Sequence, residues 1–322
     1  MYDVVALGEL LIDFTPQKMA EGKDSYFQKN PGGAPANVLA ALSKQGRKTA
    51  FIGKVGRDSF GEYLAGILRN NGISTEGMVF SETENTTLAF VELNDRGDRT
   101  FTFYRKPGAD MMLKPEEVDL GLIGSAKMFH FGSISLTDEP SRAATLRALD
   151  HAKNRGLAIS YDPNLRLPLW PEADTAKRTI LSVFPYADIL KISEEELAFL
   201  IGTEDLEEGT RQIAETYGTT LIFVTRGERG CYYRAGSVTG SVPAFRVETV
   251  DTTGAGDAFL GGVLGRILEE DIPLKLLGPD KLEAIAAFGN AMGSLATTRR
   301  GGIPSIPERA EVEALLKGKI PI

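Results

Sequence analysis

Val250-Asp251-Thr252-Thr253-Gly254-Ala255-Gly256-Asp257-Ala258-Phe259 reads as a strand end, a tight turn of small residues and the start of a helix. Beyond it Phe259, Leu260, Val263, Leu264, Ile267 and Leu268 recur at steps of three and four, the spacing of a helix with one buried face. Gly254, Ala255 and Gly256 in the first turn leave the backbone N–H groups uncovered. A helix N-terminus carries unpaired donors and a partial positive charge, so such a turn is a seat for phosphate. Asp257 conflicts with that use, because a carboxylate repels an anion. The conflict resolves if Asp257 takes a proton from a nucleophile beside a transferring phosphoryl group. Otherwise the run is a Gly-rich cap with an acidic first turn.

The 322 residues suffice for one large α/β domain or two ordinary ones. Hydrophobic residues make up 42% and charged ones 25%, the balance of a soluble globular protein with ample core. A net charge of −8 argues against nucleic acid or an anionic membrane as the main partner. Any phosphate site must then be local, built from backbone donors and a few Arg or Lys residues. The single cysteine, Cys231, excludes an internal disulfide framework and a multi-Cys metal site, and its strand-like run Cys231-Tyr232-Tyr233 makes it a small core residue. Acids among the first residues, and no apolar run near the ~20 residues of a membrane span, point to a cytoplasmic protein. Of the two histidines, His130 lies in the strand-like Met128-Phe129-His130-Phe131 as a structural residue and His151 on a helix surface.

Asp3 to Gly8 reads as a buried first strand. Leu10-Leu11-Ile12-Asp13-Phe14 continues the apolar run and places one acid inside it, either at the strand end or as a ligand for sugar hydroxyls. Thr15 to Lys29 is polar and irregular, a loop or flap. Asn30-Pro31-Gly32-Gly33-Ala34-Pro35-Ala36-Asn37 leads into a predicted helix from Val38 to Lys44, with Pro35 suited to a first helical position and Gly46 to the end. The paired glycines let backbone approach a ligand and Asn37 offers donor and acceptor together, the makings of a polyol site. A strand is predicted over Ala50 to Val55 and a helix over Phe60 to Asn70. Thr86 to Leu93 and Thr100 to Arg105 alternate apolar and polar residues around Asn94-Asp95-Arg96-Gly97-Asp98, a half-exposed β-hairpin. Such a hairpin does not belong in a sheet covered on both faces, and is expected to project as a lid over a site or against a second subunit.

After Pro107 strands and helices alternate. Strands are predicted at Lys127 to Gly132, Leu157 to Asp162, Ile189 to Ile192 and Thr220 to Thr225, and helices at Arg142 to Asn154, Ala173 to Phe184 and Leu206 to Tyr217. Helices at Leu282 to Thr297 and Ala310 to Lys317 finish the chain. This alternation means a parallel sheet, whose ligands gather at the carboxyl ends of the strands. There fall Asp162-Pro163-Asn164-Leu165-Arg166, Ser193-Glu194-Glu195-Glu196 and Thr225-Arg226-Gly227-Glu228-Arg229-Gly230. With no repeat or linker, residues 1–322 are expected to form one domain, with a β lid from inserted segments about 10–30 and 86–106.

The Gly-Lys pairs at 22, 53 and 318 lack the following Ser or Thr of a Walker loop, and the first strand lacks a three-glycine dinucleotide fingerprint. His-Glu-x-x-His, Cys-x-x-Cys and Gly-x-Ser-x-Gly do not occur. The whole instead strongly resembles the ribokinase (PfkB) family of carbohydrate kinases. Asp251-Thr252-Thr253-Gly254-Ala255-Gly256-Asp257 matches that family's C-terminal signature, and Gly32-Gly33-x-x-x-Asn37, with Gly53 to Gly61 downstream, its N-terminal one. The likeness covers nearly the whole chain. Within the family the chain looks most like the fructokinases, through Phe103-Tyr104-Arg105-Lys106-Pro107-Gly108-Ala109-Asp110, Phe131-Gly132-Ser133-Ile134-Ser135 and Tyr161-Asp162-Pro163-Asn164-Leu165-Arg166-Leu167-Pro168-Leu169-Trp170. The Asp-Pro-Asn-x-Arg run is similar in 2-keto-3-deoxygluconate kinases, so it does not choose the sugar.

The resemblance implies a ribokinase-like α/β fold, a central mostly parallel sheet flanked by helices with a small β-sheet lid. It implies ATP-dependent phosphorylation of D-fructose on its 6-hydroxyl, with Asp257 as general base and the Gly254, Ala255 and Gly256 amides as anion hole. Asp13, Gly32, Gly33, Asn37, Arg105 and Arg166 join Asp257 on the sugar side; Thr225, Gly227, Gly230 and Asn290 join Gly254 and Gly256 on the nucleotide side. Glu196 would organise Mg2+ through water, where the family often has Asn-x-x-Glu and this chain has Ser193-x-x-Glu196. Asp251, Thr253, Ala296, Arg299, Gly301 and Ser305 would hold K+, mostly through backbone oxygen. The alternatives are a 2-keto-3-deoxygluconate kinase and a catalytically silent sugar-binding regulator; the intact Gly-Ala-Gly-Asp run speaks against the second. A lid hairpin with one apolar face implies a homodimer through paired lids.

Overall fold

Residues 1–17, 26–93 and 99–319 are described by a computed structural model of the chain. It begins with β1 (Tyr2–Leu7), β2 (Leu11–Gln17), β3 (Tyr26–Gly32), α1 (Ala34–Ser43), β4 (Thr49–Gly56), α2 (Ser59–Asn70) and β5 (Ile73–Ser81). β6 (Leu88–Leu93), β7 (Arg99–Tyr104) and the short α3 (Leu120–Gly124) follow. The middle alternates as β8 (Ala126–Gly132), α4 (Ser141–Asn154), β9 (Ala158–Asp162), α5 (Ala173–Ser182), β10 (Ile189–Ser193), α6 (Glu194–Ile201), α7 (Leu206–Tyr217) and β11 (Leu221–Thr225). The chain ends with β12 (Cys231–Ala235), β13 (Val238–Val242), α8 (Ala255–Glu270), α9 (Pro279–Ala296) and α10 (Arg309–Leu316).

Nine strands form the main sheet in the order β13-β12-β11-β10-β9-β8-β1-β4-β5, all neighbours parallel except the antiparallel pairs at the β12–β13 edge. Both faces are covered, which is why its central strands are apolar without alternation. Val4, Ala6 and Phe51 face Leu39 of α1, Leu264 of α8 and Met292 of α9. Val5, Leu7 and Ile52 face the other layer, with Leu149 of α4, Ile180 of α5 and Ile213 of α7. Each such side chain contributes roughly 1.5–3 kcal/mol on burial, so the layers fix the strand ends. In α8, Gly261 lets the helix approach α1 closely: a Cβ there would sit 2.4 Å from the Cβ of Ala41. That contact sets the position of the α8 N-terminus.

A separate sheet runs β3-β2-β6-β7, with β2 and β6 parallel and the outer pairs antiparallel. Register puts Asp13 opposite Asn30 and Ala89, and Ala89 opposite Phe103, on one face. The other face is aromatic: Phe14 stacks on Phe90 at 4.9 Å, Phe27 and Tyr104 each meet Phe90 edge-on at 5.4 Å, and Phe14 touches Phe60 of α2.

Several expectations are corrected. The supposed loop from Thr15 to Lys29 is instead strand through Gln17 and again from Tyr26, with 18–25 outside the described residues, as is the predicted turn 94–98. Its strands went unread because one face is polar, so the alternation sets aromatic against polar residues amid prolines. The first helix starts at Ala34, four residues early, with Pro35 second. The strand-like run at Cys231 is β12, whereas β5, β13, α3 and α6 were not expected as elements; β5 and β13 are sheet edges of mixed polarity. Among the described residues no helix is long and apolar enough to cross a membrane.

Candidate active site

The turn into α8 is built on Asp251, whose carboxylate accepts the N–H of Thr253 at 2.8 Å and of Gly301 at 3.0 Å. Gly254 is the N-cap rather than part of the first turn, at φ +76°. A side chain there would be strained, and its Cβ would lie 3.0 Å from the Gly302 Cα. The first-turn N–H groups of α8 have no carbonyl four residues back within the helix; that of Ala255 donates to the Thr252 carbonyl at 3.3 Å, and Gly256 lines the site.

Asp257, third residue of α8, is 5% exposed. Its carboxylate is held from two sides, accepting the Asn37 amide at 2.7 Å and the Asn164 amide at 3.0 Å. Burial pushes its pKa up against the opposing pull of Asn37, Lys191, Arg166 and Asn164. Asn164 reaches it from the end of β9 in a left-handed conformation, φ 45°, with its N–H on Asp162. The result is a fixed, unusually basic carboxylate.

A cavity of about 790 Å3 opens in front of it, lined by Asp13, Gly33, Asn37, Arg166, Glu9 and Asp257 among others. Burial raises Asp13 to about 7, with Arg166 opposing and Asp251 and Asp257 reinforcing the shift. Gly32 lies behind it: a Cβ there would fall 2.1 Å from Asp13 Oδ2. Gly33 adopts φ +121°, and a Cβ on it would meet the Glu9 carbonyl at 2.4 Å. Glu9 is buried. One of its oxygens accepts the Ala34 N–H at 2.9 Å, the other is buried without a partner, and burial raises its pKa to about 7. A second cavity of about 840 Å3 is lined by Thr225, Gly227, Gly230, Phe245, Phe259 and Asn290, with Ala255 at its edge. Thr252 and Gly256 line both cavities, which therefore meet at the α8 N-terminus. Asn290 also ties down the chain beyond β13, donating to the carbonyls of Val242 and Pro243.

Two candidates have other duties. Arg105 does not line the cavity. Its guanidinium is buried against Asp110 at 2.7 Å, the Thr137 hydroxyl at 2.9 Å and the Ile134 carbonyl at 3.2 Å, so it braces the wall that carries Ile134. Glu196 lines the cavity but belongs to a capping box, exchanging hydrogen bonds with Ser193 while its other oxygen accepts the Leu165 N–H. Among the described residues no group of three His, Cys, Asp or Glu side chains could hold a metal directly. The monovalent-cation candidates are neighbours: Asp251 reaches Thr253 and Gly301, Arg299 N–H points at the Ala296 carbonyl, and Ser305 donates to Gly302. Arg299's side chain turns away to Glu311. Glu9, Asn164 as the second amide, and the Lys191–Asp162 pair were missed as site residues. A lysine inside Ile189-Leu190-Lys191-Ile192 was the legible signal.

Two cavities thus meet at a helix N-terminus, with a buried carboxylate inside one of them, a geometry suited to transfer of a phosphoryl group from a donor in one to an acceptor in the other. The family model described as pfkB family carbohydrate kinase matches residues 1–309. Fructokinase-2 of Solanum lycopersicum is 47% identical over 319 residues, 98% of this chain and 96% of that protein. A fructokinase with bound ATP from Xylella fastidiosa has the same fold, with a TM-score of 0.91 and 32% identity across 99% of each chain. A fructokinase double mutant from Vibrio cholerae O395, in fructose, ADP and potassium ion bound form, gives 0.88 and 33% across 98% of each chain. This chain belongs to the pfkB family of carbohydrate kinases.

Proposed function

We propose that the protein transfers the γ-phosphoryl group of ATP to the 6-hydroxyl of D-fructose, with Asp257 as general base. The meeting of the two cavities at α8, with Asp257 inside only one of them, carries this reading. The sugar occupies the cavity of Asp13, Gly33 and Asn37, and the nucleotide that of Thr225, Gly227, Gly230 and Asn290. Asp257 accepts the hydroxyl proton while the sugar oxygen bonds to phosphorus and the bond to ADP breaks. The amides of Ala255 and Gly256 take up the charge that grows on the phosphoryl oxygens. Asn37 and Asn164 keep the carboxylate aimed, and its burial strengthens it as a base.

Mg2+ fits at Glu196 through water, because magnesium retains several waters and this carboxylate already accepts two backbone N–H groups at the cavity wall. Such an ion would neutralise phosphate charge. K+ would be held at the loop around Asp251, whose buried carboxylate accepts the Thr253 and Gly301 N–H groups, with Ala296, Arg299 and Ser305 in the adjoining segment as further oxygen donors. The small sheet, whose cavity face carries Asp13 and Phe103, acts as a lid. Its outer face, with Tyr104 65% and Phe27 43% exposed, joins a second copy as a homodimer. The single, buried cysteine suits a cytoplasmic setting.

A neutral sugar is favoured over 2-keto-3-deoxygluconate. Arg105 is committed to Asp110, and Arg166 at the rim shares the cavity with Glu9, Asp13 and Asp257, whose carboxyl groups oppose an acid substrate. ATP consumption measured with fructose, glucose, ribose and 2-keto-3-deoxygluconate tests the reading. Fructose is expected to give the highest kcat/KM. Preference for the keto acid would overturn the substrate, and turnover on none of them would overturn catalysis.

A further inference from the structure

Lys191 has no place in the chemistry described so far. It lies in β10 between fully buried Leu190 and Ile192, and is itself 6% exposed. An ammonium at such a depth costs several kcal/mol in lost hydration unless it is paired. Its partner is Asp162 at the end of β9, with Nζ 3.0 and 3.2 Å from the two carboxylate oxygens. The side chain nevertheless lines the sugar cavity, and a Cβ built on Gly256 would lie 3.0 Å from Nζ. The ammonium therefore stands against the first turn of α8. Burial pulls its pKa down, but the carboxylates of Asp162, Glu196 and Asp257 more than reverse this, so the group stays charged.

The charge balance gives this position its meaning. Glu196 and Asp257 line the same cavity as Lys191, Asp162 is bonded to it, and all three carboxylates act on its ammonium. A helix N-terminus supplies about half a positive charge, too little to offset three carboxylates. Arg166 is exposed at the cavity rim, with its guanidinium on the Leu165 carbonyl. Lys191 is the buried cation beside the first turn. An ammonium has three N–H donors, and among the described residues Asp162 is the partner it donates to.

We propose that Lys191 donates to the oxygens of the transferring phosphoryl group, beside the amides of the first turn of α8, while Asp162 holds the ammonium there. The inference rests on the kinase reading and adds a cation to the donor set that stabilises the transfer. It makes Lys191 a catalytic residue and Asp162 a positioning residue.

K191M and K191R test the role, with K191M/D162N added so that removing the lysine leaves no unpaired buried carboxylate. ATP and ADP affinities are measured by titration without sugar, fructose affinity without nucleotide, and kcat with both. K191M is expected to lose about 10²-fold or more in kcat, the scale of one lost anion-hole donor. ATP binding should weaken at least about fivefold more than ADP binding, and fructose affinity should stay within about threefold of wild type. K191R should recover part of kcat, and the double variant should fold yet remain slow. Equal changes in ATP and ADP affinity, or a double variant with near-wild-type kcat, would overturn the proposal and leave a structural ion pair. The nucleotide comparison does not depend on the sugar. A wild type inactive on fructose refutes the substrate reading, whereas an active wild type matched by K191M refutes the lysine alone.

Discussion

Asp257 stands where a helix N-terminus would attract an anion, and two amides from distant parts of the chain, Asn37 and Asn164, hold it there. Glu9 shows the cost of assembling such a site. Burial lifts its carboxyl from the ordinary 4.5 to about 7, and one oxygen has no partner. A raised carboxyl binds its proton more tightly in the folded chain, so its contribution to stability is complete below about pH 4.5 and is lost as pH rises through about 7. Glu9→Gln removes that loss. Relative to wild type, the variant should gain stability between pH 5 and pH 8, by up to the order of 3 kcal/mol. Urea unfolding at several pH values checks this, and a difference flat with pH would refute it.

At the scale of elements, the site depends on turns that only glycine makes cheaply and on a small sheet with two unlike faces. Gly33→Ala puts a Cβ 2.4 Å from the Glu9 carbonyl at φ +121°. The strain is on the order of 1–3 kcal/mol, and the displaced backbone leads directly into α1, which carries Asn37, and follows Gly32, which lies against Asp13. The variant should melt lower and lose at least about tenfold in fructose affinity, while ATP affinity, which belongs to the other cavity, holds. Loss of both affinities alike would contradict the division into two seats. On the outer face of the small sheet, Tyr104→Asp places a charge on the aromatic cluster around Phe90. Sedimentation should show a wild-type dimer and a monomeric variant; a monomeric wild type would remove the proposed interface.

Over the whole molecule, legibility in the sequence followed burial. β1, β4 and β8 to β11 were readable because both faces of the sheet are covered and their strands are apolar throughout. The strand limits of β2 and β3 were not, since their cavity face carries Asp13, Thr15 and Asn30 and the alternation sets aromatic residues, not a buried core, against polar ones. The start of α8, two residues before Asp257, was readable from local spacing alone. Arg105 was not, because its fate is decided by Asp110, Ile134 and Thr137, which only the tertiary fold brings to it. Lys191 was overlooked for a related reason: a charge within an apolar strand has meaning only once Gly256 is known to lie against it. The central claim is that Asp257 removes the proton of the accepting hydroxyl where two binding sites meet at α8. The most direct test is kcat of Asp257→Asn with fructose and ATP, alongside the affinity of the same variant for each substrate. Turnover is predicted to fall by at least about 10², with both affinities within about threefold of wild type; near-wild-type turnover would contradict the account.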